Sequence, residues 1–162
     1  MSGAGAPDLT VDATGLRVAV IAGSWHEEIM SHLVTGAEQA IAAAGGEHST
    51  FRVAGAFELP LAAQLALGSR ESGGGGFDAA VCLGIVVRGG TPHFEYISSS
   101  VTDGLTRVQL DTGKPVGFGV LTTDTEQQAV DRSGRPGAPE SKGREAAEAA
   151  LHMLVTARAL TA

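Results

Sequence analysis

The sequence predicts an α/β protein in which a parallel sheet carries helices on both faces. Short apolar runs at 17–23, 78–87 and 116–121 are typical of buried strands. The longer segments between these runs have apolar residues at helical spacing. Strands that alternate with helices pair in parallel through right-handed crossovers, and the helices then cover both faces of the sheet.

The first part of the chain contains two predicted strands and the helix that joins them. The run at 17–23 is followed by Ser24, which with Glu27 fits a capping box at the start of a helix. Apolar residues then recur at helical spacing as far as Gly45-Gly46, a pair that readily ends a helix. A second strand is predicted at 49–53.

The middle of the chain repeats this order. Pro60 stands where a helix accepts proline, at its first residue, and this second helix should end before the glycines at 73–76. The strand at 78–87 is the most hydrophobic run of the sequence. Thr91 can then cap a third helix that starts at Pro92 and runs to about residue 110.

The remaining segments complete one predicted domain over residues 1–162. A fourth strand at 116–121 is followed by Asp124, which is predicted to cap a short helix, and 140–160 has the Ala- and Leu-rich composition of a last helix. Residues 1–14 are rich in Gly, Ala, Asp and Pro without sustained periodicity. We therefore predict a flexible N-terminal arm there, disordered or ordered only by a partner subunit.

Composition restricts the class of protein. The 162 residues are enough for one buried core, which must be built mainly from aliphatic side chains because aromatics make up only 4%. The formal net charge of −7 argues against a nucleic-acid partner, since phosphate backbones are bound by basic surfaces. The single cysteine, Cys82, cannot form an intrachain disulfide, which favours the cytoplasm. We expect neither export nor membrane insertion, because no leader pattern or long apolar run occurs.

A ligand site is expected where the strands end. In parallel sheets with helices on both faces, ligands bind beyond the carboxyl ends of the strands. The segments that reach this edge are 24–26, 54–58, 84–93 and 118–124.

The loop after the third strand suits an anion. Backbone amides at Gly89-Gly90 can approach a ligand closely, and the start of the following helix favours negative charge. His93 lies in the first turn of that helix, where an imidazole could transfer protons. By themselves, two glycines are as well explained by a tight turn. The other histidines are better explained as packing or solvated residues, except His26, which could contribute to the site or to a helix start.

Two residues near the other strand ends have a structural and a functional interpretation. Trp25, the only tryptophan, follows the first strand and could stack on a planar ligand or cover the start of a helix. Glu58 precedes the Pro60 helix and could stabilise that helix or accept hydrogen bonds from ligand hydroxyls.

Several common cofactor motifs are missing from the sequence. The glycines at 73–76 precede a strand, and Gly113-Lys114 is followed by Pro115, so neither is a phosphate loop. No G-x-G-x-x-G segment opens a helix, and the histidine spacing offers no zinc site. We expect no cofactor and no metal.

Three blocks together resemble the lumazine synthase family, in its order and spacing, over about residues 17 to 160. They are Gly55-Ala56-Phe57-Glu58-Leu59-Pro60, Leu83-Gly84 through His93-Phe94-Glu95-Tyr96, and Phe118-Gly119-Val120-Leu121-Thr122-Thr123 with Glu126-Gln127 and Asp131-Arg132. The resemblance implies a flavodoxin-like three-layer sandwich with a four-stranded parallel sheet. It also implies homopentamers whose active sites lie between adjacent subunits.

The resemblance implies the activity of this family and a role for each matching residue. The enzymes condense 5-amino-6-(D-ribitylamino)uracil with 3,4-dihydroxy-2-butanone 4-phosphate in riboflavin biosynthesis. The pyrimidine would stack on Trp25, against Phe118 of a neighbouring chain. Its polar edges and the ribityl chain would meet Ala56, Phe57 and Glu58 on one side and Ile85, Val86 and Val87 on the other. The phosphate would be held by Gly90, Thr91 and the neighbour's Arg132, with Lys142 as a further basic residue near it, while His93 would transfer protons.

One alternative keeps the pocket without the chemistry. A non-catalytic protein of the same fold that binds lumazine or flavin should lack the residues at His93 or Arg132, and both are present. An electron carrier of the flavodoxin type would need a phosphate loop after the first strand, where Ser24-Trp25-His26-Glu27-Glu28 is too bulky and acidic. Both substrates are small molecules, so no nucleic acid or membrane partner is implied.

Overall fold

The computed structural model describes residues 9–68 and 76–162. The elements in chain order are β1 (Arg17–Gly23), α1 (Glu27–Ala43), β2 (Glu47–Val53), a 3-10 turn (Ala56–Glu58), α2 (Leu59–Leu67), β3 (Ala79–Val87), α3 (His93–Thr112), β4 (Val116–Thr123), α4 (Glu126–Val130) and α5 (Lys142–Thr161). The four strands are all parallel and lie in the order β2-β1-β3-β4. The predicted α/β fold with a four-stranded parallel sheet is confirmed.

Side chains that alternate along the strands divide the core into two layers. Val18 and Val20 of β1 belong to the cluster that packs against α1 and α5. Ala19 and Ile21 point the other way, into the cluster formed with α2 and α3. This alternation makes both faces of the sheet apolar, which is why strands buried on both sides read as continuous hydrophobic runs. The result is a three-layer sandwich.

Glycine allows the closest helix contact in this fold. Gly143, in the first turn of α5, lies so near the carbonyl oxygen of Leu33 in α1 that a Cβ atom there would clash with it. Gly36 of α1 faces the same crossing, where a Cβ would lie 2.9 Å from Oγ of Ser141. The two helices therefore approach through their backbones, and side-chain changes at this crossing must displace a helix.

The predicted capping box at Ser24 is wrong. α1 begins at Glu27 with His26 as its N-cap, and the side chain of Ser24 instead donates a 2.8 Å hydrogen bond to the carbonyl of Val53. His26 adopts left-handed backbone angles (φ 53°) and is the one residue other than glycine with positive φ among those described. The hydroxyl of Ser24 thus joins the ends of β1 and β2 and does not cap a helix.

Two further predicted caps are also wrong. α3 begins at His93 with Pro92 as its N-cap and without a side-chain cap, so Thr91 does not serve there. α4 is capped by Thr125, whose hydroxyl accepts a 3.3 Å hydrogen bond from the N–H of Gln128. Asp124 is occupied elsewhere, in an ion pair with Arg88.

The described part of the predicted N-terminal arm is ordered by its own chain. Ala13 is fully buried, and its N–H donates a 2.8 Å hydrogen bond to the carbonyl of Ala44 after α1. Val11 packs against the same core cluster. The prediction of a flexible arm is therefore corrected for residues 11–14, while residues 1–8 lie outside the described part of the chain.

Lys114 closes the connection between α2 and β3. Its ammonium group donates hydrogen bonds of 2.8 Å to the carbonyls of both Leu67 and Phe77, and the N–H of Gly76 donates to the carbonyl of Gly68 at 3.1 Å. The two ends of the connection are thereby held together. Most of the glycine run predicted as a flexible connection, 73–75, lies outside the described residues.

The segment between α4 and α5 is a closed loop. Ser133 and Ser141 form an isolated antiparallel bridge, and the N–H of Gly134 donates a 2.9 Å hydrogen bond to the carbonyl of Glu140. Gly134 and Gly137 take positive φ values of 81° and 86°, which suits glycine because it has no Cβ atom. Within 9–68 and 76–162 there is no helix of the length and hydrophobicity needed to span a membrane.

Candidate active site

A slot forms where β1 stops and β3 continues. The register of β1 with β3 ends at Ala22 and Leu83, whereas β3 runs on to Val87. Four residues, Gly84 to Val87, thus extend about 13 Å past the last pairing with β1. On that edge, the backbone of β3 has no strand partner among the described residues, so its amide and carbonyl groups can bind a ligand.

Trp25 lies at the entrance of this slot. Its indole is 68% exposed, and a Cβ atom on Gly55 would be 3.4 Å from Cδ1 and Nε1 of the ring. The ring therefore rests on backbone of the loop after β2 and presents most of its surface to solvent. An exposed tryptophan supported in this way is suited to stacking on a planar ligand.

The turn at Ala56–Glu58 forms the opposite wall. Its close approach to the sheet depends on Gly84, where a Cβ atom would lie 3.2 Å from Cβ of Ala56 and 3.1 Å from Leu59. The carboxylate of Glu58 accepts a 2.8 Å hydrogen bond from the N–H of Gly55, which orients it beside Trp25. Phe57 is exposed on the same turn.

A ligand in the slot would contact Ile85, Val86 and Val87 mainly through their backbone groups. Ile85 is buried in the cluster with α1 and α5, while Val86 and Val87 are half-buried against opposite faces of the sheet. Because these side chains are apolar and packed, the polar groups on this side of the slot are the unpaired amides and carbonyls of β3.

The loop from Arg88 to Pro92 leads directly from the slot to α3. A Cβ atom on Gly89 or Gly90 would meet nothing within 4 Å, so open space surrounds both glycines. Thr91 is exposed before the helix, and His93 is exposed as the first residue of α3. The amides at this helix start and the imidazole of His93 thus lie at the same exposed turn.

Sequence reasoning missed Arg88. Its Nε donates a 2.7 Å hydrogen bond to Asp124, its Nη1 donates to Glu95, and its guanidinium lies 4.2 Å from the ring centre of Phe94. The hydrogen bonds to Asp124 and Glu95 raise the pKa of Arg88, and the bond from Arg88 lowers the pKa of Glu95. The signal available in the sequence was the acidic residue Glu95, seven residues after the basic residue Arg88 that follows the third strand.

His26 links the first strand end to α4. Its Nδ1 lies 3.9 Å from the carboxylate of Glu126, and its carbonyl accepts a 2.9 Å hydrogen bond from the N–H of Met30. His26 is thus the N-cap residue of α1, and it directly follows Trp25 in the sequence. Its position is compatible with either interpretation.

Phe118 lies apart from the slot. It pairs with Cys82 in the middle of the sheet, on the edge strand β4, and its ring is 46% exposed. The ring borders a groove of about 240 Å³ against α3, lined by Thr102, Leu105, Thr106, Gln109 and Val116. β1 and Trp25 are separated from this edge by β3.

The two predicted phosphate-binding cations lie in and beside the loop after α4. Nη1 of Arg132 donates a 2.9 Å hydrogen bond to the carbonyl of Gln128. The side chain of Lys142 is only 13% exposed, with Nζ 2.6 Å from Glu140 and 2.7 Å from Glu145. Burial lowers the pKa of Lys142, but hydrogen bonds to these carboxylates raise it by more, so the net shift is upward.

One chain therefore brings together part of the predicted site. The carboxyl end of the sheet gathers Trp25, Ala56, Phe57, Glu58, Ile85, Val86, Val87, Gly90, Thr91 and His93. Phe118 faces a different groove, while Arg132 bonds to Gln128 and Lys142 to Glu140 and Glu145, around the loop after α4. A groove of about 400 Å³ between α1, α5 and residues 9–11 contains none of these residues, so its size does not mark it as the site.

The arrangement defines a flavodoxin-like α/β protein with a candidate ligand site at the carboxyl end of its parallel sheet. Among the described residues, no group of three His, Cys, Asp or Glu side chains is placed to hold a metal ion. A family model described as 6,7-dimethyl-8-ribityllumazine synthase matches residues 15–158. The chain belongs to this family.

Individual relatives match over nearly the whole chain. The 6,7-dimethyl-8-ribityllumazine synthase of Leifsonia xyli subsp. xyli is 58% identical over 162 residues, which cover 99% of each chain. The protein of the same name from Micrococcus luteus is 56% identical over 154 residues, or 93% of each chain. That of Streptomyces coelicolor is 51% identical over 163 residues, covering 99% of this chain and 98% of the relative.

Proposed function

We propose that this protein is a transferase of riboflavin biosynthesis. It condenses 5-amino-6-(D-ribitylamino)uracil with 3,4-dihydroxy-2-butanone 4-phosphate to 6,7-dimethyl-8-ribityllumazine, releasing phosphate and water. The family membership supports the reaction. The observation that carries the proposal is the slot itself, in which an exposed indole and an oriented carboxylate lie next to an anion-suited loop and an exposed imidazole.

The pyrimidine substrate occupies the slot. Its ring stacks on Trp25, while the unpaired edge of β3 at Ile85, Val86 and Val87 provides amide and carbonyl partners for the polar groups of the ring. Ala56 and Phe57 border the ribityl chain, and Glu58 accepts hydrogen bonds from its hydroxyls. Glu58 retains free acceptor sites, because a carboxylate has about four lone-pair positions and the bond from Gly55 uses one.

The phosphate of the second substrate binds at the start of α3. The amides of Gly90 and Thr91 and the positive end of the helix dipole favour an anion there. Arg132 of a neighbouring subunit completes the phosphate site with a planar, permanently charged donor group. Lys142 supports this arrangement indirectly, because its N–H donates to the carbonyl of Arg132 at 2.9 Å while its ammonium is shared by two carboxylates.

His93 moves the protons of the reaction. The substrate amine attacks the ketone to give an imine and water, elimination then releases inorganic phosphate, and ring closure with loss of a second water forms the lumazine. Each step needs a proton added or removed, and an exposed imidazole next to the phosphate loop can do both. Much of the acceleration should come from holding the two substrates together in one slot.

Shared sites between the subunits of a homopentamer explain why Phe118 and Arg132 lie apart from the slot. A closed ring uses the same head-to-tail contact at every interface, so each site can take residues from two chains. Exposed apolar side chains support such contacts, among them Phe57, Leu61, Leu65, Tyr96 and Phe118. Leu61 and Leu65 lie four residues apart and so share one face of α2.

We further propose that assembly stops at the pentamer. The closed loop between α4 and α5 contains Pro136 and Pro139, and both are exposed. Proline fixes the backbone bend, so this loop cannot readily adapt to contacts between pentamers.

The cytoplasm is the expected location. Cys82 is fully buried in β3, and burial raises the pKa of its thiol to about 12, so it is poorly placed for oxidative chemistry.

Mixing the protein with both substrates tests the function directly. Lumazine fluorescence and inorganic phosphate should appear in equal amounts, and neither should form when one substrate is left out. Tight binding of lumazine or flavin without turnover would instead favour the non-catalytic alternative.

A further inference from the structure

Arg88 is the most connected charged residue next to the slot. Its guanidinium bonds to Asp124 at the end of β4 and to Glu95 in the first turn of α3, and it lies over the ring of Phe94 in that same turn. Its backbone N–H also donates a 2.8 Å hydrogen bond to the carbonyl of Thr123. Every one of these contacts lies within two residues of His93 or at the end of the neighbouring strand.

Two of the three guanidinium nitrogens of Arg88 are already engaged by protein groups. Its Nε and Nη1 donors are directed at carboxylates, and one of its faces lies over Phe94. An anion would have to displace Asp124 or Glu95 to reach these two nitrogens.

The loop that Arg88 begins has few other constraints. A Cβ atom at Gly89 or Gly90 would meet no other atom within 4 Å, and α3 starts without a side-chain cap. Glycines without packing partners allow the backbone many conformations. The contacts of Arg88 with Glu95 and Phe94 span this loop from its first residue to the first turn of α3 and so limit the positions open to the residues between.

We propose that Arg88 is a positioning residue, which holds the amides of Gly90 and Thr91 and the imidazole of His93 in the geometry that binds and processes the phosphate-bearing substrate. This inference rests on the proposed function. A positioning role and direct phosphate binding by Arg88 predict opposite effects of Glu95→Gln on phosphate affinity.

The Glu95→Gln variant distinguishes the two roles of Arg88. If Arg88 positions the loop, losing the Glu95 carboxylate loosens the loop and weakens phosphate binding. If Arg88 binds phosphate directly, the same change frees a guanidinium arm, removes a nearby negative charge and strengthens phosphate binding. Steady-state kinetics with the butanone phosphate and competitive inhibition by inorganic phosphate both report this direction.

For Arg88→Gln we expect kcat/KM for the butanone phosphate to fall roughly tenfold to a hundredfold, because displacements of about 1 Å at a reacting centre cost that much. The KM for the pyrimidine should stay within about threefold, since Trp25 and Glu58 do not contact Arg88. Glu95→Gln should change the same parameters in the same direction. The Arg88→Gln and Glu95→Gln double variant should be little worse than Arg88→Gln alone, because both changes remove one interaction.

Arg107 and Asp111 provide a matched control. They form an exposed ion pair within α3, with Arg107 Nε 3.1 Å from Asp111. Arg107→Gln should leave all kinetic constants unchanged. Exposed ion pairs contribute little to stability, so unfolding temperatures of the Arg88 and Arg107 variants should be similar.

Three results would overturn the proposal. These are a lower inhibition constant for inorganic phosphate in Glu95→Gln, an Arg88→Gln variant with wild-type kinetics, and an equal rise of both KM values with a clearly lower unfolding temperature. If the unaltered protein formed no lumazine, the proposed function itself would fail, and the role of Arg88 with it.

Discussion

The N–H of Gly55 donates a 2.8 Å hydrogen bond to Oε2 of Glu58, so the carboxylate that faces the slot is oriented by the loop on which Trp25 rests. A preoriented acceptor loses little entropy when a ligand hydroxyl binds to it. Glu58 and Trp25 are therefore both held by the backbone at Gly55.

Glu58→Ala should weaken binding of the pyrimidine substrate roughly tenfold to a hundredfold, the usual range for losing hydrogen bonds to a charged group. Quenching of the single tryptophan, Trp25, measures this binding at the site. Glu28→Ala is the control, since it also removes an exposed acid from a first helical turn. Equal affinity in the Glu58 and Glu28 variants would remove Glu58 from the ligand contacts.

His93→Ala should lower kcat by roughly a hundredfold to ten-thousandfold, the range typical of a lost acid–base group. Substrate binding should change little, because stacking and phosphate contacts supply the affinity. Steady-state kinetics and Trp25 quenching separate these effects. The exposed His152 of α5 gives the control variant, His152→Ala. An unchanged turnover number in His93→Ala would exclude His93 from the mechanism.

Arg132→Ala should weaken binding of the phosphate substrate and slow turnover, whereas Arg132→Lys should recover part of both. Lysine keeps the charge but loses the planar pair of donors. Inhibition by inorganic phosphate, compared with the exposed Arg158→Ala control, measures the anion site. Normal phosphate inhibition in Arg132→Ala would show that the anion site lies elsewhere.

Mixed rings test whether sites are shared. When His93→Ala and Arg132→Ala chains are unfolded and refolded together in equal amounts, random assembly places an intact His93 against an intact Arg132 at about one site in four. Activity should then rise to roughly a quarter of the wild-type value. Native mass spectrometry confirms mixing. Recovery no greater than the average of the two single variants would mean that both residues come from one chain.

The assembly should be a pentamer and not an icosahedral shell. Multi-angle light scattering of the purified protein gives its mass without a shape assumption, and this mass should equal that of five chains, about 82 kDa from a chain of 16.4 kDa. A particle of much higher mass would contradict the argument from the proline loop. Replacing Pro136 and Pro139 with alanine tests whether that loop blocks further contacts.

The strands were the most predictable part of this protein. Predicted and observed limits agree within two residues for all four. For β1 and β3 this is because a buried run ends where its apolar residues end, whereas β2 is largely exposed and begins two residues before its predicted start. Helix starts were less predictable. Ser24 and Asp124 have the right chemistry to cap, but Val53 and Arg88, far away in sequence, engage them instead. Local patterns do not include such tertiary partners.

The candidate site divides in the same way. Residues at strand ends, such as Trp25 and His93, could be located from the sequence because parallel strands all end at one edge of the sheet. Of the cluster around Arg88, only the spacing to Glu95 could be seen in the sequence, since the contact with Asp124 depends on the adjacency of β3 and β4. Phe118 and Arg132 gain a proposed role only through the family resemblance and a neighbouring subunit.

The two hydrogen bonds of Lys114 make the stability of the sheet less dependent on the length of the connection between α2 and β3. Because one ammonium binds the carbonyls of both Leu67 and Phe77, the two ends of the connection stay in place when the residues between them are changed. Each doubling of such a connection costs only about 0.6 kcal/mol in closure entropy. A foreign peptide grafted between Leu67 and Phe77 would be anchored at both ends. In the proposed pentamer it would be present once in every subunit, so one assembly would carry five copies.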